Sequence, residues 1–354
     1  MLTSEPRVRE IDGLRGLAIL SVVGFHLLAF PLSSFLSKIG LWDIASLLPY
    51  GVDLFFVISG YLIGTILLRI DGRSGIAAFY IRRILRIWPL YYLLLFLVYS
   101  ILPDKSMFSS VPHWTFFFFI PNLWEWHGVW AHQALAPLWS IAIEEQFYLF
   151  APILFSILNK KQITILLVFY VVLSPILRWI LLYNTEIDIR SFTPTSIDGI
   201  CVGLLLAIFL SSPENLTYVT ERINHLTRLA FFLLFMLIPS IMLLPDHLWI
   251  SFGHSLVVLA FGSVLLSVQA RRSLGWRTPF LNLPFLRYLG LRCYSIYLFH
   301  TFFVFIAIAI FDNFFAGLAL ELMLILLFAQ FSWRYIEAPL MRLGHKFHYG
   351  NNSK

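Results

Sequence analysis

The chain contains ten stretches of predominantly apolar residues, each close to the length that crosses a membrane as a helix. A helix needs about 20 residues, at a rise of 1.5 Å each, to cross about 30 Å of hydrocarbon. With 59% hydrophobic and only 12% charged residues, the chain is too apolar to cover a water-soluble domain. We therefore predict an all-α polytopic membrane bundle of about ten transmembrane helices, at residues 14–36, 47–68, 84–102, 137–158, 162–183, 193–211, 229–245, 249–270, 287–311 and 315–336.

One aromatic stretch between the third and fourth spans is interrupted by proline and is too short to cross. We expect residues 114–137, WTFFFFIPNLWEWHGVWAHQALAP, to form an interfacial or re-entrant cap. The chain has no low-complexity linker and no clear internal repeat. It therefore reads as one membrane domain, residues 1–346, followed by a short polar tail, residues 347–354.

Lysines and arginines are distributed unevenly over the loops. If the N-terminus is cytoplasmic, the outer loops hold only Lys38, Lys105 and Arg190, and most other basic residues lie inside. This bias predicts both termini in the cytoplasm of a multi-pass plasma (inner) membrane protein. The same bias explains the net charge of +6, because basic residues at the inner surface contact membrane lipids. We therefore expect no nucleic-acid partner.

Several classes of site lack their sequence signatures. His, Cys and Asp do not cluster at metal-binding spacing, and neither a GxSxG elbow nor a phosphate-binding glycine loop is present. Cys201 and Cys293 lie in or beside apolar segments, so we interpret both as packing residues and expect no disulfide. The N-terminal apolar run, which has no small-residue cleavage site after it, is expected to be a retained helix. We expect no metal and no tightly bound cofactor.

Ionisable residues within a membrane span are costly and therefore mark functional candidates. Arg15 and His26 are separated by eleven residues, nearly three helical turns, so they share one face about 16 Å apart. A neutral imidazole can accept a proton from an alcohol, as acyl transfer to a hydroxyl requires. The alternatives are a histidine bonded to a neighbouring helix and an arginine that reaches lipid phosphates.

The second span begins with GVDLFFVISGYL. Asp53 lies at its outer end, where it could orient the His26 imidazole or pair with an arginine. An interfacial residue at a helix start is the alternative. Gly51, Gly60 and Gly64 are expected to allow close helix packing.

Three arginines, Arg82, Arg83 and Arg86, form a cluster at the expected cytoplasmic start of the third span. Arg83 and Arg86 are three residues apart and share a face, where two guanidinium groups can bind phosphates in bidentate fashion. A nucleotide-bearing donor such as coenzyme A would present phosphates there. A positive anchor against lipid headgroups is the alternative.

The fourth span carries two adjacent carboxylates, Glu144 and Glu145. Neighbouring residues point about 100° apart, so only one is expected to face a cavity. We favour Glu144, with Tyr148, a candidate substrate-binding residue, one turn further along. Asp198 and His300 are polar groups in spans six and nine, and we consider both as substrate-binding residues beside the alternative of helix–helix hydrogen bonding.

Taken together, these segments resemble the acyltransferase-3 family of membrane acyltransferases. The resemblance rests on six strings in the family's order: IDGLRGLAILSVVGFH, GVDLFFVISGYL, FYIRRILRIWPLYY, LWSIAIEEQFYLFAP, YSIYLFH and WRYIEAPL. It implies that Arg15 and His26 match the arginine–histidine signature, with His26 catalytic. It also implies that Arg83 and Arg86 handle the donor and that Asp53 and Glu144 match the acidic positions. Asp198, His300 and Glu337 fit less diagnostic parts of the pattern.

The resemblance suggests transfer of an acyl group, expected to be acetyl, from acetyl-CoA as co-substrate to a hydroxyl of a carbohydrate or lipid-linked glycan of the cell envelope. In this hypothesis Arg82, Arg83, Arg86 and Arg15 bind coenzyme A, and His26, oriented by Asp53 or Glu144, acts as general base or transient acyl carrier. The rival hypotheses are a transporter or flippase of a lipid-linked sugar and a sugar-binding receptor without turnover.

Overall fold

The computed structural model describes residues 8–101, 111–125, 129, 132–184 and 189–349, and all regular structure in these ranges is helical. The main helices are α1 (Arg9–Ala29), α2 (Gly51–Leu67), α3 (Gly72–Ile101), α4 (Leu138–Ile157), α5 (Lys160–Asn184), α6 (Asp198–Leu210), α7 (Ile223–Leu243), α8 (Asp246–Ser273), α9 (Cys293–Ile310) and α10 (Phe314–Gly344). The prediction of an all-α polytopic bundle is confirmed. Lys105 and residues 350–354 of the predicted tail lie outside the described ranges.

The sixth predicted span differs from the other nine. Within the described residues, nine helices are long and apolar enough to cross a membrane, whereas α6 has 13 residues. At 1.5 Å per residue it covers about 20 Å, less than the hydrocarbon thickness. A short helix, Thr193–Ser196, precedes it, and helix Pro213–Glu221 follows at an angle of 101°. Irregular backbone at this depth is tolerated because α6 is buried among other helices rather than exposed to lipid.

The third predicted span also begins earlier than expected. α3 starts at Gly72, twelve residues before the predicted 84, so the basic residues that looked like a loop boundary continue the helix. Arg82, Arg83 and Arg86 therefore lie within α3 rather than at its start. This places their guanidinium groups beside other helices, not only beside lipid headgroups.

Glycines bring α2 and α6 into direct backbone contact. A Cβ atom added to Gly60 would lie 2.0 Å from the carbonyl oxygen of Ile200, and one added to Gly203 would lie 2.0 Å from that of Val57. No side chain fits at such distances. The prediction that Gly60 serves helix packing is confirmed, and the contact fixes α6 against the helix that carries Asp53.

The loops gather at two ends of the bundle. At one end Asn282 donates to Glu10, the Asp71 amide donates to the Tyr349 carbonyl, and Lys160 donates to Ser211. At the other end lie residues 30–50, 111–125 and 189–197, where Asn122 donates to the Ser191 carbonyl and the Arg190 guanidinium lies over the Tyr50 ring. These contacts join predicted inner loops to one another at one end and predicted outer loops to one another at the other end.

The aromatic segment forms the expected non-crossing cap in its described part. Short helices form at Trp114–Phe117 and Asn122–Glu125, and the segment packs against the sides of α3 and α4. The Tyr91 hydroxyl of α3 donates to the Phe116 carbonyl, and Gln146 of α4 donates to the Phe119 carbonyl. Residues 126–128, 130 and 131 of the predicted cap are outside the described ranges.

Candidate active site

A small cavity of about 90 Å³ lies between α1, α2, α3, α4 and α9, and we call it the arginine cavity. Arg15 of α1 and Arg83 and Arg86 of α3 line it together with Glu144 and Tyr148 of α4. The structure therefore brings together five of the residues singled out from the sequence. Three guanidinium groups around one cavity make a strongly positive environment for an anionic ligand.

A hydrogen-bond network crosses the arginine cavity. The Tyr148 hydroxyl donates to Glu144 Oε2 at 3.0 Å and also shares a hydrogen bond with Ser59 of α2. The Arg83 guanidinium lies 5.3 Å from the centre of the Tyr148 ring, a cation–π contact. These contacts hold the Glu144 carboxylate within the positive cluster, as the sequence predicted for the cavity-facing member of the pair.

Glu145 and Arg82 point elsewhere. Glu145 accepts a hydrogen bond of 2.9 Å from the Trp88 indole, because it lies about 100° around the helix from Glu144. Arg82 Nη2 donates to Nδ1 of His345 at 2.9 Å, and its guanidinium lies over the Tyr349 ring. Burial, followed by the charge of Arg82, lowers the pKa of His345. Arg82 is thus engaged by the C-terminal segment, away from the cavity that Arg83 and Arg86 share.

A second cavity of about 260 Å³ lies towards the capped end of the bundle, and we call it the histidine cavity. His26 of α1, Asp53 of α2, His254 of α8 and His300 of α9 line it, together with Arg190 from the segment before α6. Trp139 and Phe56, whose rings meet edge to face at 6.4 Å, contribute an aromatic wall. This combination of aromatic and polar groups is suited to a small polar ligand with an apolar face.

His26 lies in an irregular part of α1. Residues Phe25–Ala29 form a π-helical turn, a distortion that is frequent at functional sites. The His26 ring lies 5.0 Å, centre to centre, from that of His300. Nδ1 of His300 is 2.6 Å from the Tyr297 carbonyl, so this nitrogen carries the hydrogen and Nε2 is the acceptor in the neutral ring. At the cavity wall, a half-buried His26 imidazole thus meets the buried imidazole of His300.

The expected orientation of His26 by a carboxylate is not found. Asp53 Oδ1 lies 3.0 Å from Nε2 of His254, and Glu144 is bonded to Tyr148. Within the described part of the chain, neither carboxylate hydrogen-bonds His26. The physical reason is that each buried carboxylate already has a polar neighbour that offsets the cost of its burial, the His254 imidazole for Asp53 and the Tyr148 hydroxyl for Glu144.

Asp198 lies behind the histidine cavity rather than on its surface. Its Oδ2 atom accepts a hydrogen bond of 3.0 Å from Arg178, and both side chains are 1% exposed. The helix–helix alternative therefore describes its geometry, and its role in substrate binding remains a prediction. Glu337, from the last motif, accepts a hydrogen bond from Ser332 at the opposite end of the bundle.

Both cavities share part of their lining. Val52, Phe56 and Tyr297 border the arginine cavity on one side and the histidine cavity on the other, and we call these three residues the partition. Tyr297 is held by a hydrogen bond of 2.6 Å between its hydroxyl and Ser140. Two ligands, one in each cavity, would therefore be separated from each other by only one layer of side chains.

Two residues of the histidine cavity were missed from the sequence. His254 lies in an apolar span, where any ionisable residue is a candidate, so the same rule that selected His26 could have found it. Arg190 was counted only as an outer-loop charge. It lies over the Tyr50 ring at 4.4 Å and reaches the cavity because the chain folds back before α6.

The comparison with known families agrees with this arrangement. Residues 8–333 match the acyltransferase-3 family, which is described as an acyltransferase domain. The chain belongs to the acyltransferase-3 family. The match covers all five main helices that line the arginine cavity and α8, which supplies His254.

Relatives of known name include a putative O-acetyltransferase of Staphylococcus aureus strain COL, 28% identical over 370 residues. A putative peptidoglycan O-acetyltransferase, YrhL, of Bacillus subtilis strain 168 is 26% identical, and the O-acetyltransferase OatA of S. aureus strain NCTC 8325 is 27% identical. Each alignment covers 95% of this chain but only 58%, 55% and 57% of the respective relative. The chain therefore spans little more than half the length of these relatives. No solved structure matches it.

Proposed function

We propose that this protein is a membrane O-acetyltransferase that moves an acetyl group from acetyl-CoA on the cytoplasmic side to a hydroxyl of a cell-envelope sugar. The observation that carries the proposal is the pair of adjoining cavities, one rich in arginine and one rich in histidine, separated by the partition. The named relatives are O-acetyltransferases, and one is named for peptidoglycan.

The arginine cavity has the chemistry of a donor site. Phosphate groups of coenzyme A would interact with Arg83 and Arg86, and Arg15 would line the route of the pantetheine arm towards the partition. The Tyr148–Glu144–Ser59 network would line this route with fixed polar groups. Arg82 contributes to the positive potential near the entrance rather than to direct binding, because its guanidinium is engaged with His345.

The histidine cavity has the chemistry of an acceptor site. His26 would remove the proton of the acceptor hydroxyl as its oxygen attacks the thioester carbonyl carbon. The carbon–sulfur bond then breaks, and the proton passes from His26 to the departing thiolate, which leaves as coenzyme A thiol. In the two-step alternative His26 itself carries the acetyl group before the sugar hydroxyl attacks.

Mass spectrometry of envelope glycans provides the first test. Glycans from cells that contain the protein should carry a polymer one acetyl unit heavier than glycans from cells that lack it. A flippase would change the amount of a polymer without this mass difference. Identical acetylation in both glycan samples would contradict the proposal.

A reconstituted assay tests the donor. Purified protein in liposomes receives acetyl-CoA and soluble peptidoglycan fragments, and release of free coenzyme A is measured. We expect release that depends on the fragments and matches the acetylated product. Transport without chemistry releases no coenzyme A, so its absence alongside movement of the fragments would favour the transporter.

A further inference from the structure

Four charged or titratable side chains form a buried cluster where α2, α5, α6 and α8 meet. Arg178 donates to Asp198 at 3.0 Å, and Nε2 of His254 lies 3.7 Å from Asp198 and 3.0 Å from Asp53. Each of these residues is at most 6% exposed. The order along the cluster, from the interior towards the histidine cavity, is Arg178, Asp198, His254 and Asp53.

Arg178 and Asp198 are committed to holding helices together. Besides the ion pair, Arg178 donates to the carbonyls of Ser251 and Thr195 at 2.9 and 2.5 Å and to the hydroxyl of Ser255. The guanidinium therefore joins α5 to α8 and to the segment before α6. Asp198 is already neutralised by this arginine, so it is not the natural charge partner of His254.

Asp53 is therefore the carboxylate whose nearest titratable neighbour is His254. Both side chains line the histidine cavity, whereas Arg178 and Asp198 lie behind it. The Asp53 carboxylate is buried, and the His254 imidazole 3.0 Å away is a polar neighbour that lessens the cost of this burial. His254 follows a π-helical turn at Trp249–Gly253, whose extra residue changes the face of α8 on which the imidazole lies.

We propose that Asp53 binds the acceptor hydroxyls and that His254 is the positioning residue that holds its carboxylate at the cavity wall. This inference rests on the proposed acetyl transfer and specifies the acceptor as a sugar ring with hydroxyl donors. A carboxylate accepts hydrogen bonds from two neighbouring hydroxyls, and Trp139 offers an apolar surface for the face of a sugar. Asp53 thereby serves the acceptor, not the orientation of His26.

The test separates acceptor binding from donor binding in the reconstituted assay with acetyl-CoA and soluble peptidoglycan fragments. His254→Gln should raise the KM for the fragments about tenfold, because the 3.0 Å contact that holds the Asp53 carboxylate is lost, with the KM for acetyl-CoA within about twofold. Asp53→Asn should give the same pattern. His247→Gln is the matched control, since this histidine lies seven residues earlier, exposed and outside the cavity.

An unchanged fragment KM in folded His254→Gln would overturn the inference, as would equal changes in the KM for both substrates, which indicate a structural role alone. If His254→Gln does not fold, the charge-balanced double variant Asp53→Asn plus His254→Gln is judged by the same two constants. If the wild-type protein releases no coenzyme A with the fragments, the proposed function itself is contradicted. If the wild type turns over and the variant has the same fragment KM, only the role of His254 and Asp53 is contradicted.

Discussion

The imidazole of His26 faces a second imidazole, that of His300, across a distance of 5.0 Å between ring centres. The Tyr297 carbonyl fixes the hydrogen of His300 on Nδ1, which leaves its Nε2 as an acceptor within the cavity wall. His26 therefore has a second imidazole as its neighbour instead of the carboxylate expected from the sequence. Nε2 of His300 has no hydrogen-bond partner within the described residues, so the contact between the two imidazoles is one of ring packing.

Replacement of His26 by alanine should reduce acetyl transfer by about 10²- to 10⁴-fold, the usual contribution of a general base. The measurement is coenzyme A release by folded, membrane-inserted protein, with His247→Ala as control because His247 is exposed outside the cavity. Undiminished transfer by the His26 variant would exclude both its proposed roles, as base and as acyl carrier.

Replacements of the three neighbouring arginines should differ in their effect on the KM for acetyl-CoA. Arg83→Ala plus Arg86→Ala should raise the KM for acetyl-CoA by at least about tenfold, because both guanidinium groups line the arginine cavity. Arg82→Ala should change it much less, since Arg82 contacts His345 and Tyr349. An effect of Arg82→Ala as large as that of the double variant would contradict the assignment of Arg83 and Arg86 to the donor site.

At the scale of helices, α2 and α6 act as one unit because their backbones touch at Gly60 and Gly203. α2 carries Asp53 and two members of the partition, and α6 begins with Asp198 of the buried cluster. The short length of α6 is thus compatible with a central role. Its position is fixed by helix contacts rather than by its own fit to the membrane.

Gly60→Ala should destabilise the fold by about 3 kcal/mol or more, at or beyond the upper end of ordinary overpacking, because the added methyl meets a carbonyl oxygen. Thermal unfolding of the detergent-solubilised protein measures the loss. Gly317→Ala is the control, since a Cβ atom there has its nearest neighbour at an ordinary 3.9 Å. Equal melting temperatures for the two variants would refute the backbone contact.

For the whole molecule, the two groups of loops predict a fixed orientation. With the arginine cavity open to the cytoplasm, a cysteine in place of Lys38 should react with a membrane-impermeant maleimide in intact cells, and one in place of Arg73 only after permeabilisation. Both positions are exposed, and the wild-type cysteines are buried and unpaired, which makes the wild type a suitable blank. Labelling of position 73 in intact cells, and of position 38 only after permeabilisation, would place the arginine cavity on the outer side and contradict the proposed cytoplasmic donor.

Apolar length and the spacing of charged residues predicted the helices and selected most of the charged and histidine residues that line the two cavities. Arg15, Arg83, Arg86 and Glu144 line one cavity as the helical period indicated, and His26 and Asp53 line the other. What could not be predicted are relations between helices. The π-helical turns, the Asp53–His254 contact and the fold-back that brings Arg190 inward depend on packing between segments far apart in sequence.

The partition also bears on the cell's energy supply. In the proposed orientation, Val52, Phe56 and Tyr297 stand between a cavity facing the cytoplasm and one facing the envelope. A continuous file of water through them would let protons leak and dissipate the electrochemical gradient. In the proposed reaction the same three side chains admit an acetyl group at each turnover and insulate the membrane in between.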